Sequence, residues 1–294
     1  MSYSDDYYRD DESSKKSRRS RYNSSDDEDD LKYSSSPDTI RIRPFSFDDM
    51  PPFTGKASET GKGVKIVVIG KAGSGKSSVI KDIIASKSHI VPVAQVFSGT
   101  EDSNGTYGQF IPDVCIHNKL DFKALEQFKV RQKIAGKYLK YPYAFNIIDD
   151  CTDDPKLLKK PIIQDIYKNG RHWHMIHILS LQYCLDIPPA IRNNYDYAFI
   201  FKENIISTRE KLHKYFGACV HKISDFNNLL DQITGDYTAL VIKNSASATT
   251  PEECLFWYKA DLNSIPKNWK FGSSTSWEFQ KDRRDPNAVE TYNI

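Results

Sequence analysis

An α/β fold, a mainly parallel central sheet with helices on both faces, is what this chain of 294 residues predicts, and three observations predict it. Short apolar runs recur at 64–69, 90–96, 144–148, 175–179 and 197–201. Polar segments long enough for crossover helices lie between most of them. The first run opens directly into the loop Gly70-Lys71-Ala72-Gly73-Ser74-Gly75-Lys76-Ser77, and a helix-forming stretch starts behind it. Strands that alternate with helices pair in parallel and need cover on both faces.

The loop reads G-x-x-x-x-G-K-S between a strand and a helix, the context that gives this pattern its meaning. Glycines allow a tight turn whose N–H groups face phosphate oxygens, and the helix N-terminus adds partial positive charge. Residues Gly70 through Ser77, with Ser78 behind them, are therefore the expected nucleotide cradle. Lys76 would reach the β- and γ-phosphates, and Ser77 would give its hydroxyl to Mg²⁺. The chain is thus expected to take ATP and Mg²⁺ in a P-loop NTPase fold.

Composition bounds the remainder. No run approaches the roughly 18 apolar residues of a membrane span, and no signal-peptide core heads the chain, so a soluble, cytosolic-type protein is expected. Five cysteines, Cys115, Cys151, Cys184, Cys219 and Cys254, are widely spaced with no C-x-x-C, which argues against a disulfide framework or a zinc site. Residues 1–38 hold seven Lys and Arg against eleven Asp and Glu, leaving the other 256 residues at +6 within a net charge of +2. A moderately basic body is compatible with nucleic acid without requiring it.

Taken in order, residues 1–38 carry almost no aliphatic side chain and are expected to be a disordered tail. Residues 39–60 read as an extended arm, with alternation at 39–45 suggesting an edge strand before Pro51 and Pro52. The nucleotide-binding domain is expected over 61–260, with its first strand at 64–69, a helix to about 86, and a strand at 90–96. A helix over 121–135 follows, with Leu125, Phe128, Val130 and Ile134 as its apolar stripe and Gly136 as its stop. Helices at 208–215 and 224–233 and strands at 237–242 and 255–258 close the domain. The segment 261–294, with Trp269 and Trp277, would pack on the sheet edge or serve a partner.

The run at 144–148 delivers Asp149 and Asp150. A carboxylate at a strand's C-terminal end beside the phosphate loop is placed to hold Mg²⁺, so Asp149 takes the metal role and Asp150 that of the base on the attacking water. The run at 175–179 leads to Gln182, a polar residue placed to sense the γ-phosphate. With 73 residues separating Lys76 from Asp149, the arrangement resembles P-loop ATPases whose sheet has an additional strand between the phosphate-loop and acidic strands. Each motif alone has a plain reading: an empty glycine turn, two solvated acids, a loop glutamine. Their order is what joins them.

Arg171 precedes the sensor strand and could be delivered to a neighbouring subunit's γ-phosphate; Arg192 is the second candidate, and either could instead be a surface ion-pair partner. Asn118-Lys119-Leu120-Asp121 spells a guanine-reading motif but precedes the acidic strand, so it is a chance match. His172, His174 and His177, read on one strand, do not converge as metal ligands.

The succession G-K-A-G-S-G-K-S, I-I-D-D-C at 147–151, N-G-R-H at 169–172, L-S-L-Q at 179–182 and P-P-x-I-R-N-N-x-D at 188–196 resembles the poxvirus-type DNA-packaging ATPases of nucleocytoplasmic large DNA viruses, a branch of the FtsK–HerA superfamily, over about 40–258. The resemblance implies an ATP-driven motor that translocates double-stranded DNA into a capsid, a homo-oligomeric ring, a capsid or portal-type partner, and a place in the host cytoplasm at viral factories or in association with the virion. It implies the same roles for Lys76, Ser77, Asp149, Asp150, Gln182 and Arg171. Asp150 departs from the superfamily's more usual Glu. Residues 137–140 would contact DNA phosphates. A small-molecule or nucleoside kinase and a non-catalytic nucleotide-binding scaffold are the competing readings.

Overall fold

The structure is a computed structural model; residues 41–54, 56, 63–151, 154–183, 187–248 and 250–283 are described, the last three without their side chains. The N-terminal tail expected over 1–38 lies outside the described residues. Among the described residues, nine strands form one sheet: β1 (Arg43–Pro44), β2 (Val64–Ile69), β3 (Val93–Ser98), β4 (Ile116–His117), β5 (Ala144–Asp149), β6 (Met175–Leu181), β7 (Tyr197–Ile200), β8 (Thr238–Lys243) and β9 (Leu255–Lys259). The helices are α1 (Lys76–Lys87), α2 (Glu101–Asn104), α3 (Phe122–Tyr138), α4 (Pro161–Asn169), α5 (Pro189–Arg192), α6 (Ile206–Tyr215), α7 (Ile223–Ile233) and α8 (Ser274–Arg283).

The sheet order is β1-β9-β8-β7-β2-β6-β5-β3-β4. From β7 to β4 every pairing is parallel, and β8 runs antiparallel to both its neighbours. Because β6 lies between β2 and β5, the additional strand inferred from spacing is present. All residues of β2, β5 and β6 are buried, as strands covered on both faces must be.

Strand periodicity divides the core. Val67 and Ile69 of β2 join Leu125, Phe128, Ile162, Ile166 and Leu230 on one face. Val64, Ile66 and Val68 join Val79, Ile83, Phe45 and Phe110 on the other. The N-terminal arm belongs to this second layer: β1 pairs parallel with β9 at the sheet's edge, as the alternation suggested, and Phe45 packs edge-on to Phe199 and Phe256. At the other end of the chain, the amide N–H of Phe271 donates to the Phe110 carbonyl and Trp269 stacks on Phe110. These contacts hold residues 269–271 of that segment against the loop around Phe110.

Four expectations are corrected. The buried stripe of α3 is Leu125, Phe128, Gln132 and Ala135, while Val130 and Ile134 are 54% and 53% exposed. Spacings of three and four from Leu125 select the former set. Gln132 is tolerated inside because its amide donates to the carbonyls of Pro142 and Trp173, each at 3.0 Å. Gly136 does not stop this helix, which continues to Tyr138. The third strand starts at Val93 rather than 90, and β6 starts at Met175, so His172 and His174 are not strand residues.

Candidate functional site

The phosphate loop forms where β2 ends. Gly75 caps α1 with φ of 106°, a left-handed conformation that a side chain would disfavour. Lys76 folds back, its Nζ donating to the carbonyls of Gly70 at 2.7 Å and Lys71 at 3.1 Å. Burial lowers the Lys76 pKa, opposed by the negative charges of Asp149 and Asp150. One lysine therefore feels both predicted acids. Ser77 is exposed in the first turn of α1, and a shallow cavity is lined by Gly73, Gly75, Lys76, Ser77 and Ser78.

The acids stand two strands away. Asp149 closes β5 in register with Ser180 of β6, and the buried Tyr107 hydroxyl donates to its Oδ2 at 2.8 Å. Burial first, then the Asp149 charge, raises the Tyr107 pKa well above its usual value, so the phenol remains a donor. Asp150 has a left-handed backbone, φ 53°, a cost that Asp bears better than most residues. The end of β3 makes room for it: a Cβ on Gly99 would sit 2.3 Å from the Asp150 carbonyl oxygen. The Gln182 amide donates to Asp150 Oδ1, so the predicted sensor and base touch. The intervening strand also holds the phosphate loop, since Gly70 N–H donates to the Leu181 carbonyl at 3.1 Å.

These residues fit Mg²⁺ with a nucleotide. A serine hydroxyl at a helix start and a buried carboxylate are hard oxygen donors of the type this ion takes. Ser77 and Asp149 would hold it, directly or through water, and bound there it would neutralise phosphate charge. Among the described residues, no cluster of three His, Cys, Asp or Glu side chains forms another metal site.

Three partners of the site carried no sequence signal: Tyr107, Glu203 and Tyr237. Glu203 forms an ion pair with Lys71 of the loop at 3.0 Å and accepts from the N–H groups of Asn204 and Ile205 at 2.8 Å. Burial pushes the Glu203 pKa up, but these hydrogen bonds and Lys71 leave it below its ordinary value. Tyr237 lines the phosphate cavity. Their common sign is position after a strand that ends at this rim, or before one that starts there, visible only once sheet order is known.

Other candidates lie elsewhere. Arg171 is in a 3₁₀ turn before β6, at the opposite end of the sheet from Gln182, and seven strand residues span about 23 Å. It is bonded to Asp196, with its side chain 50% exposed. Arg192 lies over the Tyr215 ring. Within the guanine-like motif, Asp121 caps α3 by accepting from Lys123 and Ala124 N–H, and Asn118 bonds Asp102; local folding accounts for both.

A phosphate loop, an acid pair two strands away and a polar side chain just past the end of the strand between them define a P-loop NTPase of the additional-strand class. Within that class the family model described as Poxvirus A32 protein matches residues 56–268, and the chain belongs to this family. It is 41% identical over 236 residues to protein 088R of Invertebrate iridescent virus 3, covering 80% of this chain and 90% of that one. It is 40% identical over 245 residues to protein 075L of Invertebrate iridescent virus 6, covering 82% and 94%. The fold is shared with the genome packaging NTPase B204 of Sulfolobus turreted icosahedral virus 2 in complex with sulfate, at TM-score 0.50 and 19% identity over 68% of this chain and 98% of that one.

Proposed function

We propose that this protein is an ATP-hydrolysing motor that translocates double-stranded DNA during viral genome packaging, acting as a homo-oligomeric ring on a capsid or portal-type partner. The observation that carries the hydrolytic part is the contact of Gln182 with Asp150, beside an Asp149 held by Tyr107 and within electrostatic reach of Lys76. Water, rather than a small-molecule hydroxyl, is the acceptor that a paired base and sensor suit. Lys76 binds and neutralises the phosphates, Asp150 accepts the proton of the attacking water, and Gln182 orients that water and the base. The DNA part rests on family membership. Residues 137–140, at the end of α3 and exposed, are the candidate phosphate contacts.

Arg171 completes the site in trans in this reading, exchanging Asp196 for a neighbour's phosphate, with Arg192 as the alternative finger. Its half-exposed side chain at the rim opposite its own phosphate loop suits a role on another subunit and none on its own nucleotide.

The test is ATP turnover by the purified chain with and without duplex DNA. DNA-stimulated phosphate release is expected; phosphorylation of a small acceptor without DNA would identify a kinase, and binding without turnover a scaffold. Mixing Arg171→Ala with Lys76→Ala subunits tests the finger. Recovered turnover at mixed interfaces supports action in trans, whereas loss in simple proportion to the mixture rejects it.

A further inference from the structure

Tyr237 sits where no turn would choose a tyrosine. Residues 235–238 form a tight turn between α7 and β8, closed by the Thr238 N–H donating to the Gly235 carbonyl at 2.8 Å. Its two central residues both have positive φ, 47° at Asp236 and 60° at Tyr237. Turns of this form take Gly, Asn or Asp at these places, and a bulky aromatic there is an outlier. Asp236 conforms and is anchored by Lys259. Tyr237 does not conform, and its side chain is 63% exposed, so no gain in buried core offsets the strain.

What the strained backbone achieves is a position. Since β8 runs antiparallel to β7, its first residues stand at the rim where β2 releases the phosphate loop. Tyr237 lines the cavity over Gly73, Gly75, Lys76, Ser77 and Ser78. Its Cβ and ring edge lie 3.4 and 3.5 Å from the point where Gly75 would carry a Cβ. An exposed aromatic ring is thus fixed beside the start of α1, next to the groups that would hold the phosphates. Strain kept at a ligand site, with no packing to account for it, indicates a role for the side chain.

We propose that Tyr237 is the platform on which the nucleotide base stacks. The proposal rests on the reading of residues 70–77 as the phosphate site and deepens it by assigning the base-binding side. Stacking uses the ring face, so the phenolic hydroxyl is dispensable, and every base has such a face. The platform therefore adds affinity for nucleotides over inorganic triphosphate without separating adenine from guanine. In this respect it complements the phosphate loop, whose contacts are common to all triphosphates.

The experiment is calorimetric titration of the full-length chain with ATP, GTP and tripolyphosphate, each with Mg²⁺, in wild type, Tyr237→Phe, Tyr237→Gly and Lys76→Ala. In Tyr237→Gly the Kd for ATP and for GTP is expected to rise about tenfold, equivalent to about 1.4 kcal/mol, while that for tripolyphosphate stays within about twofold. Tyr237→Phe is expected to bind all three as wild type does. Glycine suits the turn, so the melting temperature of unliganded Tyr237→Gly should equal or exceed the wild-type value. Unchanged ATP affinity in Tyr237→Gly, or an equal loss for ATP and tripolyphosphate, would overturn the proposal. Lys76→Ala separates this from failure of the underlying site: it should weaken all three ligands, and if it weakens none the phosphate-site reading fails whatever Tyr237 does.

Discussion

Apart from the Lys71–Glu203 pair on the phosphate loop, the two ends of the parallel sheet treat their central charges in opposite ways. At the N-terminal end, one carboxylate serves two cations: Asp196 accepts from the Lys65 backbone N–H at 2.8 Å, lies 3.7 Å from its ammonium and binds Arg171. At the C-terminal end, the Lys76 ammonium spends its hydrogen bonds on two backbone carbonyls, although both acids are close enough to influence its pKa. Asp150 is held by a neutral amide and Asp149 by a neutral phenol. Charges that close on each other maintain a fold; charges supported by neutral dipoles remain available to a ligand.

The largest effects should follow from removing the second kind. Lys76→Ala is expected to weaken nucleotide binding and abolish turnover while shifting the unfolding midpoint of the unliganded protein little, because the two hydrogen bonds lost are offset by removal of a buried charge. Asp150→Asn should be more selective, lowering kcat by about 10²–10⁴-fold with ATP affinity retained. If Asp150→Asn turned over at the wild-type rate, the base would have to be sought elsewhere. A large drop in stability on Lys76→Ala would erase the contrast between the two ends.

The opposite pattern is expected of Asp196→Ala. Lys65 is buried, and burial lowers its pKa while Asp196 opposes that shift. Without Asp196 a buried ammonium loses its counter-charge and keeps only the Tyr167 carbonyl at 3.3 Å, a loss of up to about 3 kcal/mol, readable as a shift of the denaturant midpoint. Adding Lys65→Met should recover part of that loss, since an apolar isostere removes the orphaned charge. ATP affinity measured below the unfolding midpoint should be preserved in both variants. Loss of affinity in the folded protein would mean that the two ends are coupled.

The phosphate-loop end was the legible one because phosphate-binding chemistry needs fixed residue types next to strand ends. Glycines, a lysine, a serine and an acid pair therefore announce themselves within a few residues of an apolar run. The supporting shell was not legible. Tyr107 reaches Asp149 across 42 positions and Arg171 finds Asp196 across 25, distances over which no local pattern survives. Arg171 read equally well as a finger and as an ion-pair partner, and within the chain the pair is what forms. The α3 stripe was misread for a related reason: Val130 and Ile134 are apolar yet exposed, while Gln132 is polar yet buried through two carbonyls. Hydropathy cannot register a buried amide whose partners come from other segments.

Between the two ends runs a polar row that sequence alone showed only as odd residues in apolar strands. Lys65, His177, Asn146 and Gln95 are register neighbours on β2, β6, β5 and β3. Gln95 donates its amide to the Ala124 carbonyl at 3.2 Å, so its oxygen accepts from Asn146 at 3.1 Å. The Asn146 oxygen therefore faces His177 Nδ1 at 2.8 Å, which must carry the proton. That leaves His177 Nε2 buried without a hydrogen-bond partner, beside the Tyr167 ring at 5.1 Å.

Burial, opposed by the Asn146 hydrogen bond and reinforced by Lys65, lowers the His177 pKa from 6.5 to about 3. The folded protein thus binds a proton at this residue less readily than the unfolded chain. The neutral side chain carries no penalty above pH 6.5, and stability falls as pH drops from 6.5 towards about 3. One pKa unit is about 1.36 kcal/mol, so at pH 5 the loss is about 2 kcal/mol. Denaturation of wild type and His177→Gln at pH 7.5 and pH 5 isolates this contribution, because carboxylates elsewhere affect both proteins alike. The gap between the two should narrow by about 2 kcal/mol on acidification. An unchanged gap would show that His177 can take up its proton in the folded state, and that the row between the two ends is more open to charge than its geometry indicates.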